Sequence, residues 1–172
     1  MTDIQVRALG EDDWEQFRSI RLAALQESPE AFVASAAEEE GYDEDFWRLR
    51  LRRARRLVAE VEGKPVGLVC VGRLDDADNT AELFGLWVDP QWRGRSVAAN
   101  LVRRGSEEAA GEGFERLAYW VSTDNGRAVA FASSFGFRPT GRRREMRVKG
   151  ADGDEEEIAM VLSLVGDRGA TW

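Results

Sequence analysis

Residues 81–102 read AELFGLWVDPQWRGRSVAANLV, and the change of period inside this stretch decides the fold. Residues 81–88 form an apolar run of strand length, which Asp89-Pro90 ends. Residues 95–110 then place Val97, Ala98, Leu101, Val102 and Ala109 on one side of a helix. A short turn holding Arg93, Gly94, Arg95 and Ser96 lies between the two. The first N–H groups of a helix have no intrahelical partner, and the helix dipole adds partial positive charge there. A strand–turn–helix of this kind binds phosphate oxygens. Gly94 lets the backbone approach closely or take positive φ, and Arg93 and Arg95 add charge-assisted contacts. The same spacing equally describes an ordinary strand–helix turn with solvated arginines.

The pattern extends in both directions. Residues 3–9 alternate apolar and polar and predict a strand. Asp12 or Asp13 caps a helix carrying Trp14, Phe17, Ile20 and Ala24, which Ser28-Pro29 stops. Residues 36–45 read as an acidic loop, and Asp43 or Glu44 opens a second helix with Phe46, Trp47, Leu51 and Ala54. Strands at 57–62 and 66–73 join through the turn Gly63-Lys64 as a hairpin. After the helix at 95–110 come a strand at 116–121, a helix at 126–135, and two strands at 142–149 and 156–164 joined by a turn at Ala151–Asp154. The order is βααβββαβαββ, an α/β or α+β sheet with helices on both faces. The chain has 172 residues, a length that suits one domain over 1–172.

Composition removes several chemistries. With one cysteine, Cys70, and no histidine, neither a disulfide within the chain nor a His-based triad or Cys–His dyad can form. A metal site is not expected, and Cys70, inside an apolar strand, reads as core. A net charge of −8 argues against nucleic acid as a partner, because phosphate neutralisation needs a basic surface. No apolar run reaches the roughly 20 residues of a membrane helix, and MTDIQVRALGEDD has no signal-peptide core. The expected setting is cytoplasmic, with no membrane partner.

The residues Gln91-Trp92-Arg93-Gly94-Arg95-Ser96 resemble the acetyl-CoA pyrophosphate loop of the GNAT N-acetyltransferase superfamily, Q/R-x-x-G-x-G/A, with Ser96 departing from the pattern at its last position. A second segment, Asn125-Gly126-Arg127-Ala128-Val129-Ala130-Phe131 running on to Phe135-Gly136-Phe137, resembles the family's N-x-x-A-x-x-x-Y-x-x-x-G-F. The resemblance implies a mixed, mostly antiparallel, twisted sheet of about six or seven strands. It implies acetyl-CoA as acyl donor, held by Arg93, Gly94, Arg95, Ser96, Val97 and Ala98. The fourth strand would splay from the fifth, and the acyl-pantetheine arm would pair with the backbone of Leu86, Trp87 and Val88 like an added strand. A backbone N–H near Leu86 would polarise the thioester carbonyl. Asn125 would bond the arm or order the helix after it, a role compatible with plain N-capping.

Two positions break the family pattern. Ala132 stands where many members place the tyrosine that protonates the departing thiolate, and Trp120 stands where some carry a glutamate. The proton-transfer groups are therefore sought elsewhere. A substrate ammonium must lose a proton before it attacks, and a carboxylate can take it. Glu82 is the first candidate, since strict alternation of Glu82, Phe84 and Leu86 puts the three on one face. Ser133, Ser134 or Tyr119 is expected to assist the leaving thiolate, with Ser134 the better candidate of the two serines. The acidic run Glu38–Asp45 reads as a solvated loop or as an attractor of a cationic amine. Trp14, Phe46, Trp47 and Trp92 read as packing, with Phe46 or Trp47 also placed to line an acceptor pocket. The resulting expectation is acetyl transfer from acetyl-CoA to a primary amine, on a small molecule or a protein, by direct attack in a ternary complex. The alternative is a catalytically weak or inactive acyl-CoA-binding regulatory module. The tail hairpin offers an edge for a homodimer.

Overall fold

The structure is a computed structural model that describes residues 3–29, 34–75, 77–145 and 156–165. Its strands are β1 (Ile4–Ala8), β2 (Arg55–Val61), β3 (Lys64–Arg73), β4 (Thr80–Val88), β5 (Arg116–Ser122), β6 (Arg138–Glu145) and β7 (Glu156–Ser163). Its helices are α1 (Trp14–Glu27), α2 (Ala36–Glu40), α3 (Glu44–Arg53), α4 (Val97–Gly111) and α5 (Gly126–Phe135). The strands form one sheet in the order β1-β2-β3-β4-β5-β7-β6. Every neighbouring pair is antiparallel except β4 and β5. The mixed, mostly antiparallel sheet expected from the sequence is present.

The core has two sides. On one, α4 buries Val97, Leu101, Val102 and Ala109 against Leu57, Val69, Val71, Leu83 and Leu117 of the sheet. On the other, Phe17, Ile20 and Ala24 of α1 meet Trp47 and Leu51 of α3 over Val58, Leu68 and Trp87. Phe17 and Trp47 are fully buried and meet edge to face, with ring centroids 5.5 Å apart. Such a pair adds about 1 kcal/mol to the burial of its apolar area. Trp47 is therefore core and does not line a pocket, whereas Phe46 stays exposed. Cys70 is buried in β3 as expected.

Three local readings change. Residues 36–40, expected as loop, form the short helix α2, because Ser35 caps it by accepting from the Glu38 N–H at 3.2 Å. The β2–β3 turn uses Glu62 and Gly63, both at positive φ, and so sits one residue earlier than expected. The strand expected at 142–149 begins at Arg138; its far end and the turn at 151–154 lie outside the described residues. No helix among the described residues is long and apolar enough to cross a membrane.

The acidic run is built into this frame. Glu39 is completely buried. It accepts from Arg21 at 3.1 and 3.2 Å and from Arg50 at 2.7 Å, which ties α1, α2 and α3 together. Asp43 caps α3 by accepting from the Phe46 N–H, and Glu44 pairs with Arg48. Burial alone would raise the Glu39 carboxyl, but the hydrogen bonds and charge of Arg21 and Arg50 outweigh it and hold the group below its ordinary value. A carboxyl lowered in the folded state stabilises above its unfolded pKa, and that stability is lost as pH falls through the lowered folded value. Glu39→Gln is expected to cost about 3 kcal/mol at pH 7, since it removes the buried carboxylate that Arg21 and Arg50 share. Urea unfolding as a function of pH should show the gap to wild type holding above about pH 4.3 and closing below it.

Candidate active site

The site is organised by the way β4 leaves β5. The two pair in parallel only from Thr80–Arg116 to Leu83–Tyr119, although β4 runs on to Val88 and β5 to Ser122. Beyond Leu83 the sheet is open between them. At the same point β4 carries a bulge. Phe84 lies opposite Cys70 and Trp87 opposite Leu68, so Gly85 and Leu86 together face Val69. Gly85 adopts φ +64°, which a residue with Cβ takes only at a cost.

The bulge inverts the side-chain alternation. Ala81 and Leu83 point to the α4 side, and after the bulge Leu86 and Val88 do so. Phe84 points to the α1–α3 side, where Arg56 lies over both its ring and that of Phe17, and Trp87 follows it there. The expectation that Glu82, Phe84 and Leu86 share a face is thus corrected. Glu82 and Phe84 share the α1–α3 face, and Leu86 lies on the other. One inserted residue in a strand of period two moves every later side chain across the sheet.

The loop expected to hold phosphate follows β4 directly. Pro90–Trp92 makes one 3₁₀ turn, with the Gln91 N–H donating to Asp89. Gly94 then takes φ +76° with open space where a Cβ would stand, so backbone conformation and not crowding requires glycine. Ser96 is the last residue before α4 and sits in the left-handed region at φ 71°. Its hydroxyl does not cap the helix; its carbonyl instead accepts from the Asn100 side chain at 2.7 Å. The first turn of α4 therefore presents N–H groups without a side-chain cap. A cleft of about 420 Å³ opens there, lined by Val88, Trp92, Arg93, Gly94, Ser96, Val97, Ala98, Ala99 and, from α5, Phe131.

The two arginines of the loop differ. Arg95 lies over the Trp92 ring at 5.2 Å. Arg93 turns back, donating to the Val88 carbonyl and to Glu27, each at 3.0 Å. Glu27 also accepts from the Trp87 indole at 2.9 Å and from the Ser28 hydroxyl. These bonds, that of Ser28 foremost and then that of Trp87, with Arg93 beside them, hold the Glu27 carboxyl below its ordinary value. This knot fastens the end of α1 to the end of β4 and to the loop. No local signal in the sequence marks the knot at Glu27, because Trp87 and Arg93 are some sixty residues away.

At the base of the gap the candidate proton-transfer groups separate by face. Glu82 lies opposite Ala118 on the α1–α3 side, with Arg144 at 3.9 Å. Tyr119 is the last β5 residue paired with β4, and it packs edge-on against Phe137 on the α4–α5 side. Burial pushes its phenol above the ordinary value, so it stays protonated at neutral pH. Ala132 is buried in the core. Ser134 is exposed, and its hydroxyl donates to the Phe131 carbonyl at 2.6 Å. Asn125 caps α5 by accepting from the Ala128 N–H at 3.1 Å.

A strand pair that opens beside a glycine turn and a bare helix start matches one family by direct comparison. The family model described as "Acetyltransferase (GNAT) family" matches residues 11–137. The chain belongs to the GNAT acetyltransferase family. An uncharacterised N-acetyltransferase of Methanocaldococcus jannaschii is 30% identical over 96 residues, 53% of this chain and 42% of that relative. The match thus spans less than half the length of that relative. A GNAT-family acetyltransferase from Streptococcus pneumoniae superposes with a TM-score of 0.75 at 17% identity, covering 94% of this chain and 99% of that one. A Salmonella typhimurium protein solved with its cofactor acetyl-CoA superposes at 0.71, with 21% identity and 94% of each chain covered. At these identities the structural likeness speaks to fold. Among the described residues of this GNAT chain, no group of His, Cys, Asp or Glu could hold a metal ion.

Ser96 gives a test of the loop itself. A left-handed residue with a Cβ costs about 1 kcal/mol. Ser96→Gly should therefore raise Tm by roughly 2–4 °C for a chain of this size, measurable by calorimetry. A lowered Tm would show that the Ser96 side chain stabilises the loop.

Proposed function

We propose that the chain transfers an acetyl group from acetyl-CoA to a primary amine by direct attack in a ternary complex. The observation that carries this reading is the coincidence, at one end of β4, of an unpaired strand edge and an uncapped helix start lining a cleft. An extended pantetheine arm could add to the edge at Leu86, Trp87 and Val88. The pyrophosphate would meet the N–H groups of Gly94 to Ala98 and the Arg95 guanidinium. Arg93 serves there as a brace, since its guanidinium is committed to Glu27 and Val88.

The two faces of the gap divide the proton work. Glu82, on the α1–α3 face, takes the proton from the incoming ammonium. The amine nitrogen then attacks the thioester carbon, whose oxyanion is met by a backbone N–H near Leu86. The carbon–sulfur bond breaks, and the thiolate leaves on the α4–α5 face, where Tyr119 can return a proton. Ser134 was the candidate favoured by its place in the motif. Tyr119 is better supported, because it borders the gap while Ser134 bonds its own helix.

Isothermal titration with acetyl-CoA is expected to show binding, and its absence at high micromolar concentration would sink the proposal. Glu82→Gln and Tyr119→Phe should each lower kcat for thiol release by roughly 100-fold with little change in acetyl-CoA affinity, while Ser134→Ala should leave kcat near wild type. The buried Ala132, at the position of the family's usual acid, favours a second reading, an acyl-CoA-binding module without turnover. Tight acetyl-CoA binding with no thiol release over a broad amine panel would support that reading.

A further inference from the structure

The open edge of β4 ends on a carbonyl that the protein itself occupies. Gly67 lies opposite Val88, and the Asp89 N–H donates to the Val66 carbonyl at 2.9 Å. Peptide groups of a strand point alternately to its two edges, so Val88 turns its own N–H and carbonyl away from β3 and toward the gap. Pairing with β5 has already stopped at Leu83. The Val88 carbonyl nevertheless has a donor, the Arg93 Nε at 3.0 Å. The Nη2 of the same guanidinium donates to Glu27 Oε2 at 3.0 Å. That one oxygen also accepts from the Trp87 indole at 2.9 Å and from the Ser28 hydroxyl. Trp87 and Val88 are therefore both fixed from the end of α1, one directly and one through Arg93. The Glu27 and Arg93 side chains are 32% and 51% exposed, and an ion pair that open adds little to the stability of a fold. What the pair does set is where Val88 and the loop sit.

We infer that Glu27 is a positioning residue for acetyl-CoA: through Arg93 it closes the edge of β4 at Val88, and so fixes the point at which the pantetheine arm leaves the strand for the pyrophosphate loop. The inference rests on the proposed binding of acetyl-CoA and not on turnover. An arm that adds to a strand edge pairs with the backbone groups that face it. With the Val88 carbonyl taken by Arg93, an amide N–H of the arm has no acceptor there, and the pairing cannot slide past Val88. The chain of the arm between thioester and pyrophosphate has a fixed number of bonds. A fixed exit therefore also limits where the thioester carbonyl meets the N–H near Leu86. Charge alone gives Glu27 the opposite role. It is a carboxylate beside a loop that would hold a polyanion, so by Coulomb repulsion its removal would tighten binding. Removal would also free the Arg93 guanidinium for phosphate. The sign of the effect thus separates positioning from charge.

Calorimetric titration of acetyl-CoA onto the full chain tests this. Glu27→Ala should weaken binding about tenfold, the value of one charge-assisted hydrogen bond. Glu27→Gln keeps an acceptor oxygen for the indole and the guanidinium, and should stay within about threefold of wild type. Arg93→Lys keeps the charge but loses the planar fork that reaches Val88 and Glu27 together, and should weaken binding about as much as Glu27→Ala. Combining Glu27→Ala with Arg93→Lys should cost no more than about a further twofold, because both break one link. In any amine that supports thiol release, KM for acetyl-CoA should rise in Glu27→Ala while KM for the amine stays at the wild-type value; a general structural loss would raise both. Unchanged or tighter binding by Glu27→Ala overturns the inference, and so do losses that add in the double variant. Full affinity in Arg93→Lys overturns it as well, and decides the matter if Glu27→Ala does not fold. If the wild-type protein does not bind acetyl-CoA, the proposed donor fails and the inference falls with it. Wild-type binding that these variants leave intact overturns the inference alone.

Discussion

Parallel pairing between β4 and β5 stops at Leu83 and Tyr119, and the rest of the site depends on that divergence. Two neighbouring strands stay together only while their ladder bonds outweigh whatever pulls them apart. Here β4 is held on its other edge by β3 through the bulge at Gly85, and β5 is held along its whole length by β7. Each strand is thus anchored to a different partner, and the sheet opens between them without losing either. The open edge, the exposed Phe84 ring and the cleft at the start of α4 are all consequences of this one separation.

The bulge assigns chemistry to the two faces. Without it, Leu86 would point with Glu82, and the strand would present one continuous face. With it, the segment that lines the cleft belongs to the α4–α5 side, and Glu82 with Phe84 belongs to the α1–α3 side. The knot at Glu27 carries the second face onto the first. It joins α1 to the Trp87 indole and, through Arg93, to the loop at the head of α4. The end of α1 and the loop before α4 are therefore held by one set of bonds.

Charge in this protein is local. The overall composition is acidic, yet three carboxylates of the acidic run are committed to caps and ion pairs. Glu39 closes a buried triad, Asp43 caps α3 and Glu44 pairs within its own helix. Arg142 and Arg144 of β6, which the sequence shows only within the run Arg142-Arg143-Arg144, are brought by two strand pairings over the Trp120 ring of β5. Net charge speaks to solubility and long-range steering; the sign of a binding site is set by which side chains the sheet brings together.

The sequence by itself determined the elements and the loop. Apolar period marked the strands and helices, α5 to the residue, because local period follows from which face is buried. The glycine turn before α4 was legible because a helix start and a positive-φ residue are both local features. Asn125 was legible as a cap for the same reason. Tertiary structure alone decided the rest. The bulge at Gly85 reversed the alternation that had placed Glu82 with Leu86, since an inserted residue is visible only against the partner strand. Arg93, in the lining of the cleft, bonds Glu27, and Tyr119 comes to the edge of the gap. Each of these depends on a contact between residues far apart in the chain, and periodicity within one segment carries no information about the side chain that meets it from another.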